Sequence, residues 1–257
     1  MTGRLPDFII GGAPRSGTTW LATTLDRHPA IWMAKPLRPE PKFFLVEELY
    51  AEGLDQYSAR WFAEAPDDAV VGEKSTNYLE SGSAARRIAA DLPGVRMIFL
   101  LRDPVERAIS NYRWSVMNGM ETEDLETALE LEDRREAALV PELRYARPHA
   151  YVSRGQYAEL LRPFYDHLPS EQILVLRFED LTAVPGATTA RAHDFLGVEA
   201  RPDLAAPLEG FNASTVSVEV DPDTIARLRS HYEPLNRELA ALVGPSFVPW
   251  TYEESSL

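Results

Sequence analysis

Residues Gly11 to Thr19 form a glycine-rich segment between a short apolar run and a helical pattern, and their sequence is Gly-Gly-Ala-Pro-Arg-Ser-Gly-Thr-Thr. Glycines let a backbone turn tightly, so successive N–H groups can face one anion while a helix N-terminus adds partial positive charge. The segment therefore predicts a strand, a phosphate-binding loop and a helix at the start of an α/β domain. An ordinary glycine-rich turn between a strand and a helix is the alternative without a ligand.

The loop lacks the lysine of a nucleoside-triphosphate-binding loop. In that loop a lysine follows the last glycine and contacts the β- and γ-phosphates, while a hydroxyl binds magnesium. Thr18 occupies the lysine position here, and the cation of the loop is Arg15. A nucleotide-dependent phosphotransferase is therefore the second candidate function, not the first.

Apolar runs alternate with helical patterns along the chain. Four runs predict buried parallel strands: Asp7 to Ile10, Ala69 to Gly72, Val95 to Leu101 and Gln172 to Phe178. Helices are predicted at Thr18 to Arg27, after Asp103, within the charged stretch Glu121 to Ala138, at Ser153 to Leu168 and from Asp221. This alternation predicts an α/β protein with a P-loop-like three-layer fold, in which helices flank a central, mostly parallel sheet. We expect a single domain over residues 1–257.

Composition narrows the classes of partner. The formal net charge of −14 argues against a nucleic-acid or anionic-membrane surface, because both need a basic field. The chain has no cysteine and no apolar run of transmembrane length, so we expect a soluble, cytoplasmic protein without disulfides or thiolate metal sites. Its only lysines are Lys35, Lys42 and Lys74, all near the motifs described here.

Three further motifs place polar residues at the ends of predicted strands or in the segments that follow them. Arg102 ends the third apolar run, and Ser110 lies eight residues later on the following helix, beside its apolar stripe. Glu40 begins the segment Glu-Pro-Lys-Phe-Phe, and Lys74 ends the second apolar run. Open α/β sheets bind ligands at the carboxyl ends of their strands, where these side chains are expected. A surface arginine, a solvated serine and a Glu40–Lys42 or Glu40–Arg38 surface pair are the alternatives without a function.

Together the motifs resemble those of sulfotransferases that use 3′-phosphoadenosine 5′-phosphosulfate (PAPS). Gly11 to Trp20 resembles their 5′-phosphosulfate loop; many members have lysine at the position of Arg15, and the tyrosylprotein sulfotransferases resemble the arginine form. The stretch from Arg102 to Ser110 resembles the 3′-phosphate segment. The segment that begins at Glu40 resembles the Glu-x-x-Phe-Phe of glycosaminoglycan-type enzymes and their bacterial relatives, and Glu73 to Ser75 resembles a Glu-Lys-Ser/Thr segment.

The resemblance implies a function and a set of site residues. Glu40 would be the general base, and Arg15 and Lys74 the cations that stabilise the leaving group. Sulfuryl transfer from PAPS to the hydroxyl of a small-molecule or carbohydrate acceptor would need no metal. The residues implied to bind PAPS are Arg15, Ser16, Gly17, Thr18, Thr19, Trp20, Arg102 and Ser110.

The resemblance extends over residues 8 to 197. It implies cofactor motifs at 8–20 and 95–113 and acceptor-side segments near 36–50, 74–80 and 120–152. Ser153 to Tyr157 resembles a further family segment, in which Tyr157 is expected to be a core residue. Relatives often have a basic closing loop near the C-terminus, whereas Pro202 to Asp223 has no basic residue; Asn212 and Ser214 are candidates there. A non-catalytic module that binds adenosine bisphosphate is the third candidate function.

Overall fold

The computed structural model describes residues 3–140, 145–207 and 218–252. Its residues group into two compact units, each built from two chain segments. The sheet unit comprises Met1–Leu101 and Pro163–Phe211, and the helical unit comprises Arg102–Arg162 and Asn212–Leu257. The single domain expected over residues 1–257 stays a prediction.

The sheet unit contains a parallel sheet in the order β2-β3-β1-β4-β5. The strands are β1 (Phe8–Gly12), β2 (Ile31–Met33), β3 (Val70–Lys74), β4 (Arg96–Leu101) and β5 (Ile173–Arg177). The four strands predicted from apolar runs are confirmed. β2 was not predicted, because three residues after a proline-containing turn give no periodic pattern. In the described sheet it is an edge strand, paired on one side with β3.

Helices follow most of the strands, as the alternating pattern predicts. In chain order they are α1 (Thr18–Leu25), α2 (Glu47–Ala51), α3 (Leu54–Trp61), α4 (Gly82–Asp91), α5 (Pro104–Met117), α6 (Leu125–Glu130), α7 (Glu132–Ala137), α8 (Tyr157–His167), α9 (Phe178–Ala183), α10 (Pro185–Leu196) and α11 (Pro222–Val243). The charged stretch after Glu121 forms two short helices instead of one. None of the described helices combines the length and apolar character needed to cross a membrane.

The core of the sheet unit is formed by strand side chains and by one face of α1. Phe8 and Ile10 on β1 pack in the same cluster as Trp20 and Leu21 on α1, and all four are buried. A parallel sheet is covered on both faces, which is why all five residues of β1 are buried. The polar residues that follow β1 and β3 therefore emerge at the carboxyl edge of a rigid sheet.

The helical unit is organised around α5. The carboxylate of Asp103 accepts hydrogen bonds from the backbone N–H groups of Val105 at 2.8 Å and Glu106 at 3.2 Å, which caps the helix as its Asp-Pro start predicts. The apolar face of α5 packs in one cluster with residues of α6 and α11, among them Leu125 and Tyr232. α5 therefore has a fixed start directly after Arg102.

Candidate anion site and acid–base pair

The loop after β1 adopts a backbone that turns its amides sharply. Arg15 and Gly17 have positive φ values of 68° and 86°, a conformation in which successive N–H groups can form a concave anion-binding surface. Glycine is required at position 17, because a Cβ there would also lie 2.9 Å from the Phe178 ring. The backbone N–H of Ala13 donates to the Leu100 carbonyl at 2.9 Å, which fixes the loop to β4.

The start of α1 offers polar groups that suit a phosphate-like ligand. Gly17 occupies the N-cap position, so the N-cap residue has no side chain that could cap the first-turn amides of the helix. Ser16 is fully buried, and its hydroxyl has no hydrogen-bond partner among the described residues. Buried hydroxyl groups nearly always have a partner. An anionic oxygen held by this loop would supply one, so the loop fits the 5′-phosphosulfate group of PAPS.

Two predicted cofactor residues have other contacts. The side chain of Trp20 is 1 % exposed, and its indole N–H donates to the Ala206 carbonyl at 2.8 Å, so the ring belongs to the core. Trp20 can offer a ligand only its backbone N–H. The Thr19 hydroxyl accepts a hydrogen bond from Arg38 at 3.2 Å, which connects the first turn of α1 to the segment that leads to Glu40.

Glu40 and Lys74 form a largely buried ion pair. The Lys74 ammonium donates to one carboxylate oxygen of Glu40, and the two side chains are 2 % and 14 % exposed. The backbone N–H of Thr76 donates to the other oxygen at 3.1 Å, and the Thr76 hydroxyl lies 3.1 and 3.2 Å from the two oxygens. The carboxylate is therefore fixed in orientation, in contact with a cation that lies at the end of a buried strand.

The register of the sheet brings the loop and the ion pair to one edge. Ile10 of β1 is paired with Lys74 of β3, and the backbone N–H of Ser75 donates to the Ile10 carbonyl at 3.1 Å. A Cβ at Gly12 would lie 3.2 Å from the Thr76 carbonyl oxygen. The structure thus places Glu40 and Lys74 at the same carboxyl edge of the sheet unit from which the predicted anion loop departs.

Arg102 and Ser110 belong to the helical unit. Arg102 directly precedes the cap of α5, its guanidinium lies 3.4 Å from the Glu106 carboxylate, and its carbonyl accepts a hydrogen bond from the Tyr157 hydroxyl at 2.8 Å. Ser110 is half-buried in the second turn of α5. Tyr157 is a core residue, as predicted, and it also anchors the backbone of Arg102. The 3′-phosphate role of Arg102 and Ser110 stays a prediction.

Sequence reasoning missed Thr76 as a partner of the predicted base. Thr76 follows a buried strand that ends in lysine, so its place at the carboxyl edge could have been inferred from the pattern. The candidates Asn212 and Ser214 lie outside the described residues. Within the described ranges no three His, Asp or Glu side chains form a group that could hold a metal ion; the absence of a metal from the reaction stays a prediction.

Comparisons with known proteins point to one family. Residues 5–209 match the model of the sulfotransferase domain. The chain is 26 % identical to mouse heparan sulfate glucosamine 3-O-sulfotransferase 3B1 over 95 % of this chain, and it spans 65 % of the length of that relative. A crystal structure of a sulfotransferase from Alicyclobacillus acidocaldarius superimposes with a TM-score of 0.78 at 27 % identity, covering 93 % of this chain and 96 % of the other. A mouse sulfotransferase complexed with PAP shares the fold, with a TM-score of 0.51 at 15 % identity, covering 85 % and 70 % of the two chains.

Proposed function

The chain belongs to the sulfotransferase domain family, and we propose that it transfers a sulfuryl group from PAPS to a hydroxyl of a carbohydrate or small-molecule acceptor. One relative, a heparan sulfate sulfotransferase, supports the carbohydrate class of acceptor. A protein of the same fold is complexed with PAP, the product that PAPS leaves after transfer.

The observation that carries the proposal is the Glu40–Lys74 pair at the edge where the glycine-rich loop leaves β1. A carboxylate is the group needed to take a proton from a hydroxyl, which is otherwise a poor nucleophile. A buried ammonium beside it is the group needed where negative charge grows in the transition state. A protein that only bound the bisphosphate would need neither.

On the donor side, PAPS supplies the sulfuryl group. The amides of Ser16 to Thr19, the Ser16 hydroxyl and the Arg15 guanidinium bind its 5′ end in our assignment, and Arg102 and Ser110 bind its 3′-phosphate. Arginine suits a phosphate because its planar donor fork matches two oxygens at once. Charge develops on the leaving phosphate oxygen, where the loop amides and Arg15 stabilise it.

On the acceptor side, Glu40 removes the hydroxyl proton. The acceptor oxygen forms a bond to sulfur, the bond from sulfur to the bridging phosphate oxygen breaks in line, and the electron pair stays on adenosine 3′,5′-bisphosphate. Protonation of Glu40 removes the charge that attracts Lys74. The Lys74 ammonium is then available to the charge on the sulfuryl and leaving oxygens, so one ion pair couples deprotonation to leaving-group stabilisation.

The test is a transfer assay with ³⁵S-labelled PAPS and a panel of sugars, phenols and alkyl alcohols. We expect labelled product and an equal amount of released bisphosphate with at least one acceptor class. Tight binding of adenosine 3′,5′-bisphosphate by calorimetry with no transfer to any class would favour the non-catalytic module. Binding of ATP with magnesium but not of the bisphosphate would favour the phosphotransferase.

A further inference from the structure

Glu73 is a fully buried carboxyl group that the proposed reaction does not use. It precedes Lys74 on β3, so the alternation of the strand directs the two side chains to opposite faces of the sheet. Glu73 has no ion-pair partner among the described residues, and its Oε1 atom has no hydrogen-bond partner there. Burying a carboxyl group without a cation costs free energy, so the contacts around Glu73 indicate its role.

The side chains around Glu73 also contact the segment from Glu40 to Phe44. Burial, opposed by interactions with the hydroxyls of Ser75, Tyr78 and Tyr57, raises the pKa of Glu73 to about 7. Tyr57 stacks on Phe43 with ring centroids 4.3 Å apart, and the Tyr78 hydroxyl accepts a hydrogen bond from the Phe44 backbone N–H at 3.3 Å.

One chain of hydrogen bonds leads from Glu73 to this segment. The Ser75 hydroxyl donates to Oε2 of Glu73 at 3.0 Å and accepts from the backbone N–H of Lys42 at 2.9 Å. Lys42 has a positive φ of 52°, a conformation that non-glycine residues adopt only when their surroundings hold them in it. Because Lys42 lies two residues after Glu40, its backbone sets where the Glu40 side chain begins.

We infer that Glu73 is a positioning residue of the sulfuryl-transfer site: through the Ser75 hydroxyl it holds the backbone of Lys42 and thereby places the Glu40 carboxylate beside Lys74. This role rests on the proposed function of Glu40. Glu73 touches neither partner of the ion pair by a hydrogen bond in the described contacts, so it acts through Ser75 and not as a base.

The test compares Ser75→Ala, Glu73→Ala, Glu73→Gln and the double variant Glu73→Ala/Ser75→Ala. We expect the two single alanine variants to lower kcat by about 10- to 100-fold, the size expected when a reacting group is misplaced, with adenosine bisphosphate affinity unchanged within twofold. Glu73→Gln keeps an acceptor oxygen for Ser75, so it should retain most of kcat. The double variant should lose no more than the worse single variant, since both act along one route.

Ser58→Ala is the matched control. Its hydroxyl is also buried, but it donates to the Arg4 carbonyl at 2.7 Å. Ser58→Ala therefore removes a buried serine hydroxyl, as Ser75→Ala does, without removing a contact of the Glu40 segment. We expect its kcat to remain at the parental value. Additive losses in the double variant would overturn the positioning role. A parental kcat in Ser75→Ala would also overturn it, even if Glu73→Ala does not fold.

A crystal structure of Ser75→Ala separates this inference from the proposed function. We expect the backbone at Lys42 to relax and the Glu40 carboxylate to leave its contact with Lys74. If the parent protein transfers no sulfuryl group, the function fails while this displacement still tests the hydrogen-bond route. If the parent transfers the group and the Glu40 segment does not move in Ser75→Ala, the positioning role fails alone.

Discussion

The Glu40 carboxylate accepts a hydrogen bond from the Lys74 ammonium at one oxygen and from the Thr76 backbone N–H at the other. The base and the cation of the proposed reaction are thus joined before any substrate arrives. Glu40 comes from the segment after β2 and Lys74 ends β3, so their contact joins this segment to the sheet.

Replacing Glu40 by glutamine should abolish turnover, because the amide cannot accept the acceptor proton, while adenosine 3′,5′-bisphosphate binds almost as before. Steady-state assays and calorimetry measure the two effects. Glu47→Gln is the control: Glu47 lies on the exposed start of α2, pairs with Arg87 and should leave kcat unchanged. Equal turnover in Glu40→Gln and the parent protein would remove Glu40 from the role of base.

Thr76→Val should lower kcat about 10- to 150-fold, which corresponds to the roughly 1.5–3 kcal/mol that a hydrogen bond to a charged group contributes. Valine keeps the shape of the side chain and the backbone N–H bond to Glu40 but removes the hydroxyl that contacts both carboxylate oxygens. Thr76→Ser keeps the hydroxyl and should remain close to the parent. Identical kcat values for valine and serine would mean that the hydroxyl does not orient the base.

Arg102→Ala should weaken adenosine 3′,5′-bisphosphate binding by about 10- to 100-fold, the loss expected for charge-assisted hydrogen bonds to a phosphate. Arg102→Lys should recover only part of this, because the planar donor fork is lost. Glu106→Gln removes the carboxylate 3.4 Å from the guanidinium and should leave binding unchanged or tighter. An unchanged dissociation constant in Arg102→Ala, measured by calorimetry, would refute the 3′-phosphate assignment.

The sequence predicted the scaffold of the site more completely than its contacts. Apolar periodicity and the glycine-rich loop were sufficient to predict four strands and to place Arg15 and Lys74 at the same edge of the sheet. The contact between Thr76 and Glu40 joins residues 36 positions apart, and a hydrophobic pattern does not encode which hydroxyl meets which carboxylate. β2 is too short for a periodic signal. Trp20 lies inside the loop motif but packs in the core, where its indole N–H donates to the carbonyl of Ala206, a residue distant in sequence.

Two buried titratable groups should make the free energy of unfolding depend on pH in opposite directions. Burial lowers the pKa of His193 to about 4, with the neighbouring His28 as the next cause, whereas burial raises the pKa of Glu73 to about 7. His193 binds a proton more readily in the unfolded chain, so its contribution rises with pH between about 4 and 6.5. Glu73 binds a proton more readily in the folded chain, so its contribution is present below about 4.5 and is lost as pH rises through about 7.

Each of these contributions is on the order of 3 kcal/mol, since one pKa unit is worth about 1.4 kcal/mol. Between pH 4.5 and 6.5 the two contributions oppose each other. Urea unfolding from pH 4 to 8 should therefore give a stability advantage of the parent over His193→Gln that grows with pH. The stability advantage of the parent over Glu73→Gln should instead shrink as pH rises. Differences that do not change with pH for both buried variants would contradict the assignments.

The acceptor should be neutral or cationic and not a polyanionic polysaccharide, although one relative at 26 % identity is a heparan sulfate sulfotransferase. The chain has a formal net charge of −14, and the stretch predicted to face the acceptor carries exposed acids, among them Glu123 and Glu126. An anionic chain would be repelled by this field, and salt would screen the repulsion.

Oligosaccharides of equal length, one neutral and one bearing carboxylates, allow a matched comparison. We expect a higher kcat/KM for the neutral acceptor at low salt, and a kcat/KM for the anionic acceptor that rises as ionic strength increases while the neutral one changes little. Glu123→Gln combined with Glu126→Gln should raise kcat/KM for the anionic acceptor alone. A preference for the anionic acceptor that weakens with added salt would instead mean that a local basic surface guides the acceptor despite the net charge of the chain.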